Sequence, residues 1–132
     1  MVSQNLDIVK AIFVDWEKGD WSSSEWADPE IEFVMVGGLS EGTWTGTAEM
    51  AKAWAAMVNA WDGLTANAEE FRDIDDERVL VFLQNRGRGR ESGIEIDGIS
   101  VRAANVFTIR DGRVKKLVLY WDRDQAIQDL GL

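Results

Sequence analysis

The chain contains no cysteine, no histidine and a single proline. Without cysteine there is no disulfide, no thiolate nucleophile and no cysteine-ligated metal. Without histidine the commonest general base, the commonest metal ligand and every Ser-His or Cys-His nucleophile pair are also excluded. Any acid–base chemistry must therefore use Asp, Glu, Tyr, Lys or Arg, and we expect neither a bound metal nor another cofactor.

Long apolar runs and an excess of positive charge are missing as well. No stretch approaches the roughly 18 consecutive apolar residues that a membrane span requires. The first ten residues, MVSQNLDIVK, lack the basic and apolar regions of a secretion signal. The formal net charge of -10 would repel the phosphates of nucleic acids. The sequence therefore predicts a cytoplasmic protein with neither a membrane nor a nucleic acid as partner.

What the chain does contain suits one domain spanning residues 1–132, because 45% of its residues are hydrophobic and no repeat or linker divides it. Apolar residues recur at helical spacing in two segments, 4–18 and 47–62. The first segment carries a stripe of Leu6, Val9, Phe13 and Trp16. The second carries a stripe of Met50, Trp54, Met57 and Trp61. Shorter helices are predicted over 22–27 and 123–130.

Alternating apolar residues predict five strands. One covers 31–36, after which 37–45 is predicted as a loop. Four consecutive antiparallel strands follow at about 65–74, 78–90, 94–109 and 113–121. Asp111-Gly112 favours a type I′ hairpin between the last two, and Gly98 is interpreted as a bulge that bends the long third one.

This order of elements predicts an α+β fold. Hairpin-connected strands that follow helices form an antiparallel sheet with the helices on one face. Because a bulged sheet curves, we expect a cone-shaped sheet packed on the N-terminal helices, with an apolar hollow where a ligand would bind.

Six segments, in this order and spacing, resemble the nuclear-transport-factor-2-like superfamily, and within it the SnoaL-like branch. They are 16–20 (WEKGD), 27–33 (ADPEIEF), 42–46 (GTWTG), 86–93 (RGRGRESG), 107–113 (FTIRDGR) and 120–123 (YWDR). The resemblance implies a cystatin-like cone that accepts an apolar small molecule. It also implies a homodimer through the outer face of the sheet, where Val106, Thr108, Val118 and Tyr120 lie.

The same superfamily includes ketosteroid isomerases, epoxide hydrolases, polyketide cyclases and members without catalysis. The resemblance places the tyrosine of the isomerases at Ile12, their base aspartate at Phe33 and their second aspartate at Asn105. The acid of the epoxide hydrolases falls on Leu119. Of these four positions only Asn105 keeps a side chain that can donate a hydrogen bond to a carbonyl or oxyanion.

Two residues are therefore the candidate catalytic residues. Asn105 occupies an otherwise apolar strand face, so its amide must find a partner, either a neighbouring side chain or a ligand. Asp122 follows the last strand, at a rim where an acid would reach the hollow. The alternative for Asp122 is a capping box with Gln125 at the start of the terminal helix.

The candidate ligand-binding residues are aromatic and other apolar side chains, which suit either a cavity wall or a filled core. They are Trp16, Phe33, Met35, Trp54, Met57, Trp61, Phe107, Leu119 and Trp121.

Two functions follow from these candidates. The first is the binding of an apolar or polycyclic compound, with isomerase, cyclase or hydrolase activity as its catalytic forms. The second is a non-catalytic dimerising module whose core is filled by its own tryptophans. A void of roughly a few hundred cubic ångströms with an inward polar group would favour the first function, and a solid core the second.

Overall fold

The computed structural model describes residues 4–21, 25–37, 41–59, 61–89 and 101–132, and for 61–63, 87–89 and 101 it describes the backbone only. In chain order the elements are α1 (Gln4–Glu17), β1 (Ala27–Val36), β2 (Gly42–Thr45), α2 (Thr47–Asn59), β3 (Trp61–Asp73), β4 (Arg78–Gly89), β5 (Val101–Arg110), β6 (Arg113–Tyr120) and α3 (Arg123–Leu130). None of the helices within these ranges is both long and apolar enough to cross a membrane.

The strands form one curved, open sheet in the order β2-β1-β6-β5-β4-β3. β3 to β6 are antiparallel neighbours, as the sequence predicted. β1 pairs with β6 in parallel, so the sheet is mixed rather than purely antiparallel. The chain can enter β6 in this direction because one helix and four strands separate it from β1. The α+β cone is confirmed.

β2 was missed by the sequence reading, which placed a loop over 37–45. Its four residues pair antiparallel with β1, with Trp44 opposite Phe33. A segment this short does not establish a periodicity of its own. Its extended form depends on hydrogen bonds supplied by β1, a partner that is not visible in a local pattern.

Two predicted helix boundaries were wrong. α2 ends at Asn59, and Trp61 lies in β3, where its backbone pairs with Gly89, instead of extending the helical stripe. Ala27 starts β1 rather than ending a short helix, because its backbone aligns with Val114 of β6. The rest of that predicted helix is a turn at 25–26 or lies outside the described residues. Gly98 and its predicted bulge also lie outside them.

The hairpin between β5 and β6 has the predicted conformation. Asp111 has φ 54° and Gly112 has φ 75°, so both central residues are left-handed, as a type I′ turn requires. Glycine carries little steric cost in this region, and aspartate is one of the few other residues that adopt it readily.

Two apolar clusters lie on opposite faces of the sheet. α1 and α2 cover one face and form the main core with it. α3 packs on the other face against β5 and β6, where Ala126 is fully buried beside a smaller cluster. Side chains of odd number on β4 and β5, from Val79 to Asn85 and from Ala103 to Ile109, point toward α1 and α2. The odd-numbered residues of these strands therefore form the face that holds the candidate site, because successive side chains of a strand point to opposite faces.

Candidate functional site

A cavity lies between the main helices and the sheet. α1, α2 and the segment after α1 supply Trp16, Trp21, Trp54 and Met57. The strands and the residue after β6 supply the remaining lining residues, which are Leu64, Ala66, Leu83, Asn85, Asn105, Leu119, Tyr120 and Trp121. No described Asp, Glu, Lys or Arg side chain belongs to this lining.

The cavity is narrow. Its volume is ≈ 30 Å³, which holds about one water. The void of roughly a few hundred cubic ångströms that would favour ligand binding is therefore not preformed here. A ligand of several rings therefore has to displace at least one indole from its position in this structure.

Three indoles form the aromatic wall. The ring centroids of Trp16 and Trp54 lie 4.8 Å apart, and Trp21 lies 5.9 Å from the first and 6.0 Å from the second. Gly19 ends α1 with φ 81° and turns the chain back, so that Trp21 folds over the helix end. Trp16 is 3% exposed and Trp54 9%, whereas Trp21 is only partly buried. Trp21 is thus the indole of this wall that lies nearest to solvent, and Trp121 is a further lining indole that is partly buried.

Three of the predicted ligand-binding residues lie behind this wall. Phe33, Met35 and Phe107 are at most 1% exposed and do not line the cavity. The ring of Phe33 lies 5.4 Å from that of Trp54, and Phe107 lies 6.1 Å from Trp16. The structure therefore places Phe33 and Phe107 as supports behind the lining indoles, and Met35 in the core without reaching the lining.

Asn105 is the one buried polar residue in the part of the chain that the structure describes, at 4% exposure. Its strand neighbours are Val81 on β4 and Leu119 on β6, both apolar. Its side-chain amide lines the cavity and makes no hydrogen bond with a protein group in the described ranges. A buried amide of this kind ordinarily has a partner, so its environment is that of a group awaiting a ligand or a water.

A second unpartnered donor lies in the wall. The indole Nε1 of Trp54 is buried and donates to no acceptor among the described residues. Trp54 therefore offers both a π face and an N–H group at the cavity.

Asn85 is a lining residue that the sequence reading missed. It continues the inward row of Val79, Val81 and Leu83 on β4, and all three of those are at most 2% exposed. The sequence carried a signal for it, because a residue at the next alternate position of an apolar row points to the same face of the strand as that row.

Asp122 lies outside the cavity lining. It is the N-cap of α3, where its Oδ1 accepts a hydrogen bond from the Asp124 backbone N–H at 3.0 Å. The reciprocal half of a capping box is absent, because the Gln125 side chain instead donates to Asp129 at 2.8 Å. The carboxylate is thus engaged by the helix N-terminus, in keeping with the capping alternative.

Tyr120 contributes the one titratable side chain among the described lining residues. Its ring packs in the outer cluster with Ala126, on the α3 side of the sheet. Burial raises the pKa of this phenol, and the nearby Asp129 carboxylate raises it further by charge and by accepting its hydrogen bond. Tyr120 is therefore neutral and is turned away from the indoles.

The structure brings most of the predicted site together. Asn105 shares the cavity with five of the predicted ligand-binding residues: Trp16, Trp54, Met57, Leu119 and Trp121. It does not bring Phe33, Met35, Phe107 or Asp122 to the lining, and the Trp61 side chain is outside the described part. No three acidic side chains in the described ranges cluster closely enough to hold a metal ion.

Comparison with known proteins supports the same fold. The model of the SnoaL-like domain family matches residues 9–117. A search of curated proteins found no match. Among solved structures, TerC co-crystallised with polyporic acid is 19% identical, with a TM-score of 0.75 over 98% of this chain and 100% of that one.

Two further solved structures are similar. A proposed polyketide cyclase from Sinorhizobium meliloti is 25% identical, with a TM-score of 0.68 over 86% of this chain and 93% of that one. An NTF2-like protein of unknown function from Burkholderia pseudomallei is 16% identical, with a TM-score of 0.79 over 99% and 100% of the two chains.

Proposed function

Because this chain belongs to the SnoaL-like domain family, we propose that its cavity binds an apolar or polycyclic small molecule. The observation that carries the proposal is Asn105, a buried amide without a protein partner in the described ranges, among indoles and aliphatic side chains. A ligand with one hydrogen-bonding group would satisfy this amide and stack on the indoles. The co-crystal of TerC with polyporic acid supports small-molecule binding by this fold.

The energetics favour a functional role for the amide. A polar group that is fully buried without a partner destabilises a folded protein by about 1–3 kcal/mol, which is an upper bound for the Asn105 amide because its atoms still face the cavity. An apolar residue at position 105 would avoid this cost, since Val81, Leu119 and the rest of the row are apolar. A bound ligand recovers the lost hydrogen bond, so the group is costly only in the empty state.

Any catalysis at this cavity has to proceed without a described general acid or base. The one titratable lining group, Tyr120, has a raised pKa and faces the other side of the sheet. Asp122 caps α3. If the protein is an isomerase, a cyclase or a hydrolase, we propose that the Asn105 amide acts by polarising a carbonyl group of the ligand.

A second candidate function is a dimerising module with a tryptophan-filled core, favoured by the small cavity volume of ≈ 30 Å³. The proposed homodimer interface is the outer sheet face. There α3 already covers Val106 and Tyr120, at 5% and 8% exposure, and leaves Thr108 and Val118 partly exposed. Under either function we propose that the protein is cytoplasmic.

The test compares a cavity-filling variant with a matched surface variant. Ala66 is 3% exposed and lines the cavity, whereas Ala55 is exposed on α2. Native mass spectrometry of the purified protein should show a co-purifying compound, and naphthalene-type probes should quench tryptophan fluorescence. Ala66→Leu should weaken probe binding at least tenfold, and Ala55→Leu should leave it unchanged. Absence of any binding by the wild type would favour the dimerising module, as would equal binding by both variants.

A further inference from the structure

We propose that Asn85 is a second polar anchor of the cavity, and that the ligand is an uncharged, flat compound of two or three rings with a hydrogen-bonding group at each end. This inference rests on the proposed function, since it names the ligand class of the same cavity. Asn85 is the new element, because it lies apart from Asn105 and on another strand.

The position of Asn85 makes its amide available. Its backbone aligns with Ala66 on β3 and with Val101 on β5, so its described neighbour on one side is a small side chain. The Asn85 side chain lines the cavity and, within the described ranges, hydrogen-bonds no protein group. It is partly buried, which places it nearer the opening than the buried Asn105.

The strand register sets the spacing of the two amides. Asn85 aligns with Val101, and Asn105 aligns with Val81, so four residues separate the amides along the strands. At the rise of an antiparallel strand this is about 13 Å. Leu83 and Ala103 form the pair between them. A single ring is too short to reach both amides, whereas a compound of two or three rings with a substituent at each end has a comparable span.

The lining also selects against charge on the ligand. Its described polar groups are two carboxamides and indole N–H groups, because the neutral phenol of Tyr120 is turned to the α3 side of the sheet. A carboxylate brought into this cavity would lose its hydration and meet no described cation, which is strongly unfavourable. A neutral hydroxyl or carbonyl can instead pair with an amide, which both donates and accepts hydrogen bonds.

The aromatic wall selects for flatness. Trp16 and Trp54 lie 4.8 Å apart at 38°, and the partly buried Trp21 lies over both. A planar ligand that displaces Trp21 toward solvent gains the exposed faces of two buried indoles. The movement needed is that of one side chain at the edge of the cavity.

Four naphthalene probes test this ligand class. They are unsubstituted naphthalene, a monohydroxynaphthalene, a dihydroxynaphthalene with its hydroxyls at opposite ends, and a dicarboxylate of the same shape. Tryptophan quenching gives each dissociation constant. We expect each added hydroxyl to tighten binding by about 5- to 10-fold and the dicarboxylate not to bind. Equal or tighter binding of the dicarboxylate would overturn the requirement for an uncharged ligand.

Asn85→Ala tests the second anchor, with Asn67→Ala as the matched control, because Asn67 is exposed on β3. We expect Asn85→Ala to bind the dihydroxy probe no better than the monohydroxy probe and to leave naphthalene binding unchanged. The control should reproduce the wild type. If Asn85→Ala keeps the wild-type preference for the dihydroxy probe over the monohydroxy probe, the second anchor is refuted, while binding at the cavity stands. If the wild type binds none of the four probes, the proposed function itself fails.

A measurement on the wild type makes the result independent of any variant's folding. The side-chain NH₂ signals of Asn85 in a ¹⁵N-labelled sample should shift when the dihydroxy probe is added, and those of Asn67 should not. Unmoved Asn85 signals at saturating probe would overturn the assignment.

Discussion

Replacing the buried amide of Asn105 with a leucine of similar size should make the protein more stable. The amide is 4% exposed, its strand neighbours Val81 and Leu119 are apolar, and it makes no hydrogen bond within the described part of the chain. Asn105→Leu removes a polar group without a partner and adds an apolar side chain with the same branching and a somewhat larger volume, which the adjoining cavity can take up. The change therefore reverses the usual sign of a core substitution.

The expected size follows from the cost of an unsatisfied group. That cost is about 1–3 kcal/mol, and burial of the leucine adds to the gain wherever its shape fits the wall. For a chain of 132 residues, each kcal/mol changes the melting temperature by about 4 °C. We expect Asn105→Leu to raise the melting temperature by up to roughly 4–12 °C. It should also weaken binding of a hydroxylated probe while preserving that of naphthalene.

Differential scanning calorimetry and urea unfolding of the ligand-free proteins measure the effect. Asn67→Leu, at an exposed position of β3, is the control and should change the free energy of unfolding by less than about 0.5 kcal/mol. A loss of stability in Asn105→Leu would refute the reasoning, because it would mean that the wild-type amide is already satisfied, for example by a buried water.

Two further predictions concern ion pairs. Arg123 donates to Glu69 and, at 3.1 Å, to the Leu83 carbonyl, and it lies 4.7 Å over the Phe82 ring. Arg123→Ala should therefore lower the free energy of unfolding in urea by about 2 kcal/mol, and Arg123→Lys should recover little of the loss. An unchanged unfolding midpoint would contradict this. The hydrogen bond from Lys115 lowers the pKa of Asp28 below its ordinary 3.8. The ionised Asp28 therefore stabilises the folded protein above about pH 3.8, and this stabilisation is lost as the pH falls further. Asp28→Asn should flatten the fall of melting temperature in that range, and an identical fall in both proteins would argue against it.

Much of the fold could be predicted because its signals are local. Helical spacing located α1, alternation located the strands of the large meander, and Asp111-Gly112 located their last turn. What was missed depends on partners distant in the chain. β2 is held extended by β1, and Trp61 lies in a strand because its backbone pairs with Gly89. Neither interaction leaves a pattern within a short window of sequence.

The site was predicted in part for a similar reason. Parity identified Asn105 as an inward amide, and the same rule applied to β4 would have identified Asn85. The sequence could not predict which apolar residues line the cavity and which lie behind them. Phe33 and Trp54 are both aromatic, and they differ only in how far they lie from the cavity. Only the packing of α2 on the sheet decides which of them reaches the cavity.

The parallel pairing of β1 with β6 has a consequence for how the protein is made. β1 needs β6 on one side, yet β6 lies far downstream of β1 in the chain, and the Asp28–Lys115 contact spans 87 positions. One edge of β1 therefore stays open until β6 has left the ribosome. Contacts so distant in sequence make folding slow, and during that interval Ile31, Phe33 and Met35 are the residues most in need of protection from other nascent chains.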